Sequence, residues 1–269
     1  MPANRIDTTF ARLRAEGRAG FIAYLCAGDP SLEATRELVP ALERAGVDIV
    51  EIGVPFSDPL ADGVVNQMAS TRALASGTTL KGVLECVRSI RANSQIPIVF
   101  YTYMNPVYRH GFDAFLADAD AAGVDGVLFL DLPPDEDDAS PELRMHGPLK
   151  RIRLIAPTTP LERIALLTRD ASGFIYYVSR EGVTGERSDV AAGIAERVAE
   201  IRKTTSLPVS VGFGISNPEQ VRAVASVSDA VVVGSAIVKR IAEFGGDPQL
   251  VEKVASFVRP LAAAVRASR

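Results

Sequence analysis

A single-domain (β/α)8 barrel with an additional N-terminal helix is the fold the sequence predicts, and three observations predict it. The first is length: 269 residues exceed the roughly 150 of an average domain but suit the about 250 that a barrel of the TIM type uses as one unit. The second is a recurring phrase. Ala45-Gly46-Val47-Asp48 runs into Ile49-Val50-Glu51-Ile52-Gly53, Ala122-Gly123-Val124-Asp125 into Gly126-Val127-Leu128-Phe129-Leu130-Asp131, and Val227-Ser228-Asp229 into residues 230–234. Each time an Ala-rich amphipathic stretch ends, at glycine in the first two copies, and a short β-branched run follows. Third, most of these runs are almost continuously apolar, as strands of a parallel sheet covered on both faces must be.

The elements follow in order. An amphipathic piece at 6–16 precedes the first strand at 21–26, and further strands are expected at 49–54, 98–103, 126–130, 153–156, 174–178, 209–212 and 230–233. Helical patterns at 31–45, 79–92, 112–122, 161–169, 190–204, 218–225 and 250–266 separate them. Pro97 and Pro208 stand at strand entrances, where a missing N–H is tolerated. The connection 133–151 is the weak one, because the acidic run 135–138 with Pro141 and Pro148 leaves room only for a short or broken helix. A doubly wound sheet would usually use fewer strands, and the turn Ala27-Gly28-Asp29-Pro30 lacks the glycine pattern of a dinucleotide site.

Composition excludes several classes. With 29 basic against 33 acidic residues and no basic run, the chain has no electrostatic footprint for nucleic acid. No apolar stretch approaches the roughly 20 residues of a membrane span, and Arg5 and Asp7 stand where a signal peptide has its apolar core, so a cytoplasmic location is expected. Cys26 and Cys86 are too few for a disulfide framework, and with His110 and His146 they make a poor metal-ligand set. Both histidines are expected in solvent and Cys26 as a small core residue.

In such barrels the active site lies at the carboxyl ends of the strands. Gly212-Phe213-Gly214-Ile215-Ser216 follows the seventh strand and Val233-Gly234-Ser235-Ala236 the eighth. One glycine pair alone would merely turn the chain. Two such loops, each with a helix start after it, predict a phosphate cradle of backbone N–H groups, over which Thr184-Gly185 could close. Glu51, inside an apolar strand, is either half of a buried ion pair or a carboxyl whose pKa is raised toward proton-transfer use. The following loop, 54–63, carries Asp58 and Asp62 between prolines, and two carboxylates in different environments can divide acid and base roles. None of the five lysines falls within a predicted strand, which disfavours a Schiff base. With metal ligands scarce as well, electrons released on bond cleavage must be accepted by the substrate. A carboxylate-catalysed reaction on a phosphorylated substrate remains.

The run from Glu51 to Gly63, Glu-Ile-Gly-Val-Pro-Phe-Ser-Asp-Pro-Leu-Ala-Asp-Gly, closely resembles the signature of the tryptophan synthase alpha chain. The likeness continues through Gly28-Asp29-Pro30, Asn105-Pro106, Asp131-Leu132-Pro133, Ser179-Arg180-x-Gly182-Val183-Thr184-Gly185, Gly212-Phe213-Gly214-Ile215 and Gly234-Ser235-Ala236-Ile237-Val238. Val64 departs from it, standing where that family often has proline. The resemblance implies retro-aldol cleavage of indole-3-glycerol phosphate to indole and glyceraldehyde 3-phosphate, with the indole ring, protonated at C3, as electron sink. It further implies Glu51 as general acid/base, Asp62 as partner of the indole N–H, and Tyr176 beside Glu51. Thr184, Gly185, Gly214, Gly234 and Ser235 would hold the phosphate end, and Tyr24, Tyr103 and Leu128 would line the indole pocket. No cofactor is implied in this chain. Pyridoxal phosphate would belong to a beta chain, with which two alpha chains form an alpha2beta2 heterotetramer that passes indole through a tunnel. Two other readings stay open: a free-standing indole-glycerol-phosphate lyase, and a catalytically silent phosphate-binding barrel that regulates a partner.

Overall fold

The computed structural model describes residues 3–134, 140, 143–179, 187–212 and 214–267. Eight parallel strands close into a barrel in chain order: β1 (Gly20–Cys26), β2 (Ile49–Gly53), β3 (Ile98–Thr102), β4 (Gly126–Phe129), β5 (Lys150–Ile155), β6 (Ile175–Val178), β7 (Val209–Gly212) and β8 (Ala230–Val233). The ring is completed where β1 pairs with β8, from Gly20↔Ala230 to Ala23↔Val233. Strand residues alternate between two cores. Ile22, Ile49, Val99, Leu128 and Ile152 fill the barrel interior, while Phe21, Val50, Ile98, Phe100 and Val127 pack outward beneath the helices. Burial on both faces is why the runs read as continuously apolar.

The helices are α1 (Arg5–Ala15), α2 (Leu32–Arg44), α3 (Val64–Ala75), α4 (Leu80–Arg91), α5 (Met104–His110), α6 (Phe112–Ala122), α7 (Leu161–Arg169), α8 (Arg187–Arg202), α9 (Pro218–Ala225), α10 (Ser235–Phe244) and α11 (Leu250–Ala264). Side-chain caps start several of them: Ser31 accepts from the Ala34 N–H, Thr79 from Gly82 and Asn217 from Gln220, each satisfying an amide that would otherwise lack a partner. The helix α1 packs differently. Its Ile6, Phe10 and Leu13 drop into the inner core, with the Phe10 ring 5.7 Å from Phe174. It thereby plugs the amino end of the barrel and leaves the carboxyl end for a cavity.

The recurring aspartate has a structural role at the plugged end. Asp48 accepts the Phe21 N–H at 3.0 Å, Asp125 the Ile98 N–H at 2.8 Å and Asp229 the Val209 N–H at 2.9 Å. Each carboxylate so pins an amide at the start of a neighbouring strand, and each meets an arginine: Arg18 at 2.8 Å, Arg91 at 2.8 Å and Arg202 at 2.9 Å respectively. Burial pushes the Asp48 carboxyl up, but hydrogen bonds from Arg18, Arg12 and the Phe21 amide outweigh it and hold the group below its usual value. In the second copy Gly123 closes α6 at φ +90°, a left-handed conformation that a β-carbon would strain.

Several expectations change. The strand β5 begins at Lys150, three residues before the expected 153, so one lysine does lie in a strand. It sits at the amino end, with Nζ 2.6 Å from Asp7, so a Schiff base at the catalytic end gains nothing from it. Arg151 and Arg153 of this strand are both buried, and Arg153 donates to the Leu132 carbonyl at 3.0 Å. The helices α3 and α5 were not expected, and α10 only as a helix start after the eighth strand. In the doubtful connection 133–151, residues 135–139 and 141–142 lie outside those described. His110 is half-buried, its Nε2 2.8 Å from Asp118, rather than free in solvent. Cys26 is a core residue as expected, its thiol pushed up to about 12 by burial.

Candidate active site

At the carboxyl end the inward positions of the strands change from aliphatic to polar. The side chain of Glu51 lies level with Tyr24 of β1 and Val99 of β3 in the sheet register and is 1% exposed. Neither of its oxygens has a hydrogen-bond partner among the described residues. Burial alone pushes its pKa up to about 8. Of the two readings of Glu51, the raised carboxyl is favoured over the ion pair, because no donor meets either oxygen among the described residues. What remains is a carboxyl held neutral at pH 7 and facing a cavity of ≈ 550 Å³ that Asp62, Tyr24, Tyr101 and Tyr176 also line.

Asp62 has the opposite environment. Its Oδ2 accepts from the Tyr103 hydroxyl at 2.9 Å, and its Oδ1 from the Tyr101 hydroxyl at 3.1 Å and from Asn66 Nδ2 at 3.4 Å. Burial raises its pKa while these hydrogen bonds oppose the rise. Two carboxyls thus differ in kind: one bare, one held by phenols. The Tyr103 hydroxyl also accepts the Ala61 N–H at 3.0 Å, which ties the loop after β2 to β3. Asp58, expected beside Asp62, is exposed and does not line the cavity.

Close packing keeps the tyrosines in place. A β-carbon on Gly53 would stand 2.9 Å from Tyr24 Cζ, and one on Gly212 would stand 2.5 Å from Tyr176 Cε2, so each ring lies across a bare stretch of neighbouring strand. The Tyr24 and Tyr101 rings meet edge-on at 5.0 Å. Burial raises the Tyr176 phenol well above its ordinary value, and the charges of Glu51 and Asp62 raise it further.

The far side of the cavity is lined by Gly214, Gly234 and Ser235. Helix α10 starts at Ser235 without a side-chain cap; the Ile237 N–H already donates to the Gly234 carbonyl at 2.8 Å, which leaves the Ser235 and Ala236 amides available to an anion. After β7, α9 begins at Pro218 as expected, but its Asn217 cap already uses the Gln220 amide of the first turn, so this helix start offers an anion less than α10 does. Leu128 is a correction: it is fully buried in the inner core below the cavity, and Leu130, one inward position higher, lines the wall instead. Tyr103 stands behind Asp62 rather than on the wall. Thr184 and Gly185 lie outside the described residues. Tyr101 and Asn66 were missed; the period of two from Tyr103 points to Tyr101.

A family model for the tryptophan synthase alpha chain matches residues 10–266. The chain belongs to the tryptophan synthase alpha chain family. It is 54% identical to the tryptophan synthase alpha chain of Opitutus terrae over 265 residues, covering 98% of this chain and 99% of that one. It is 49% identical to that of Geotalea daltonii, with 98% and 99% covered. Among solved structures, tryptophan synthase subunit alpha from Legionella pneumophila superposes with a TM-score of 0.88 at 36% identity, covering 97% of this chain and 98% of that one. As a member of the tryptophan synthase alpha chain family the protein is a carbon–carbon lyase, cleaving indole-3-glycerol phosphate to indole and glyceraldehyde 3-phosphate.

Proposed function

We propose that Glu51 and Asp62 divide the work of this cleavage. Glu51, protonated at neutral pH because burial holds its pKa near 8, donates its proton to the indole C3. The resulting cationic indolenine keeps its ring N–H, and Asp62 accepts a hydrogen bond from it and offsets the charge. Glu51, now a carboxylate, takes the proton of the adjacent glycerol hydroxyl. As the aldehyde forms, the carbon–carbon bond breaks and its electron pair returns to the ring. The acid is regenerated and no outside electron acceptor is needed. Tyr176 and Tyr24 confine the ring from β6 and β1, while Gly214, Gly234, Ser235 and the open amides of α10 hold the phosphate, with Thr184 and Gly185 closing over it. Tyr103 acts through Asp62 rather than on the ring.

The observation that carries this reading is the bare, buried Glu51 carboxyl sharing one cavity with a phenol-held Asp62. A silent phosphate-binding barrel has no use for such a carboxyl. Leu60, Val64, Met68, Tyr108 and Leu161 are exposed apolar side chains in segments that follow β2, β3 and β5, on the side of the cavity mouth. This apolar surface favours a beta chain docked there in an alpha2beta2 assembly over a free-standing lyase. Pyridoxal phosphate would then reside in the beta chain. No helix among the described residues is long and apolar enough to cross a membrane, in keeping with a cytoplasmic enzyme. The test is indole release from indole-3-glycerol phosphate by wild type and Asp62→Asn, each with and without a beta chain. Asp62→Asn should lose turnover while binding glyceraldehyde 3-phosphate almost normally; equal loss of both would overturn the division of roles.

A further inference from the structure

Asp62 has to be charged when the indolenine forms, yet it sits in a cavity whose burial favours its neutral form. The groups that keep it ionised therefore bear on the rate. Tyr103 takes one oxygen. The other oxygen accepts the Tyr101 hydroxyl at 3.1 Å and Asn66 Nδ2 at the longer 3.4 Å. Tyr101 is placed for this by packing: its ring meets the Tyr24 edge at 5.0 Å, and it packs, as Val65 of α3 does, against the cluster that Tyr24 forms with Cys26, Ala69, Ala73 and Val238. The amide oxygen of Asn66 is buried with no hydrogen-bond partner among the described residues. That leaves the weaker of the two contacts on Oδ1 to Asn66 and the stronger to the phenol.

We infer that Tyr101 is a positioning residue for the lyase reaction, its hydroxyl holding the Asp62 carboxylate ionised and aimed at the indole nitrogen. The inference rests on the assignment of Asp62 as the charged partner of the ring. The phenol donates more strongly to the ionised carboxylate than to the neutral carboxyl, so its hydrogen bond stabilises the charged form relative to the neutral one. A carboxylate oxygen has two lone-pair sites, and Oδ2, with one phenol on it, keeps a site free for the indole N–H. The two phenols so leave the carboxylate competent while restricting its rotation. Tyr101 also stands in the indole-facing wall, where an aliphatic residue would serve packing equally well but could not bias the charge.

The test is Tyr101→Phe, which keeps the ring and its contact with Tyr24 and removes one oxygen. The pH dependence of kcat for indole release is measured in the assembled enzyme, alongside Asp62→Asn. Removing the donor should raise the pKa of Asp62, so the acidic limb of the profile should move to higher pH by about one unit. Turnover should then fall about tenfold on that limb and by much less on the plateau. KM should change little, because the phosphate end is untouched. A limb that stays in place, or a loss uniform across pH with KM rising in step, would overturn the inference. An active Asp62→Asn would instead overturn the assignment on which it rests, whereas an inactive Asp62→Asn with an unmoved limb in Tyr101→Phe refutes the role of Tyr101 alone.

Discussion

Substituting Glu51 by Gln should stabilise the fold in a pH-dependent way while destroying the reaction. In the unfolded chain this carboxyl titrates near 4.5, and in the fold burial moves it to about 8. Between those values the folded state holds one more proton than the unfolded state, so wild-type stability falls as pH rises through the window and is flat on either side. Each pH unit of the gap is worth about 1.4 kcal/mol. The group therefore costs the fold about 3 kcal/mol at pH 7 and about 5 kcal/mol above pH 8. Glutamine has nothing to ionise. Its amide meets the same partnerless surroundings at a roughly constant cost of about 1–3 kcal/mol, which offsets the curve without tilting it. Urea unfolding of both proteins gives the difference directly. From about pH 5.5 to about pH 8 the variant should gain about 3 kcal/mol on wild type. A difference that stays level across that range would refute the claim that Glu51 is held neutral by burial.

Other consequences follow from the same contacts. Gly212→Ala puts a β-carbon 2.5 Å from Tyr176 Cε2, so the ring must leave its place; turnover should drop at least tenfold, with a stability loss of about 1–3 kcal/mol in chemical denaturation. Asp48→Asn removes a charge shared by Arg12, Arg18 and the Phe21 amide. It should cost about 2 kcal/mol, less than a wholly buried pair because Arg12 is half exposed. Since the Asp48 pKa is depressed in the fold, that wild-type advantage is full above the ordinary carboxylate range. It should shrink as unfolding is measured at falling pH.

Much of this molecule was legible in its residues, for identifiable reasons. The phrase ending in Asp48, Asp125 and Asp229 marked three αβ junctions because the same carboxylate does the same work at each, pinning a neighbouring strand. Glu51 drew notice because nothing but chemistry or pairing justifies a carboxyl in an apolar strand. What escaped notice had no local signal. Helix α3 follows Gly63 with no side-chain cap and turns Val64 and Met68 outward, so its pattern does not announce a buried face. Helix α5 carries Pro106 in its first turn, a position where proline is tolerated but which reads as a break. Leu128 in β4 and Leu130 just past its end stand two residues apart, and periodicity alone does not give height along the barrel axis; only the plug of α1 at the amino end shows that Leu128 lies in the floor. Tyr101 gained its meaning from Asp62, 39 residues away in sequence.

The central claim is that one bare carboxyl at residue 51 moves the proton, and the pH profile of indole release by wild type and Glu51→Gln tests it most directly. Wild-type kcat should decline on the alkaline side around the pH of about 8 at which Glu51 loses its proton. Glu51→Gln should fold, bind glyceraldehyde 3-phosphate and turn over about a hundredfold to ten-thousandfold more slowly, with no alkaline limb at that pH. Near-normal turnover by Glu51→Gln, or the same alkaline limb surviving in it, would contradict the account.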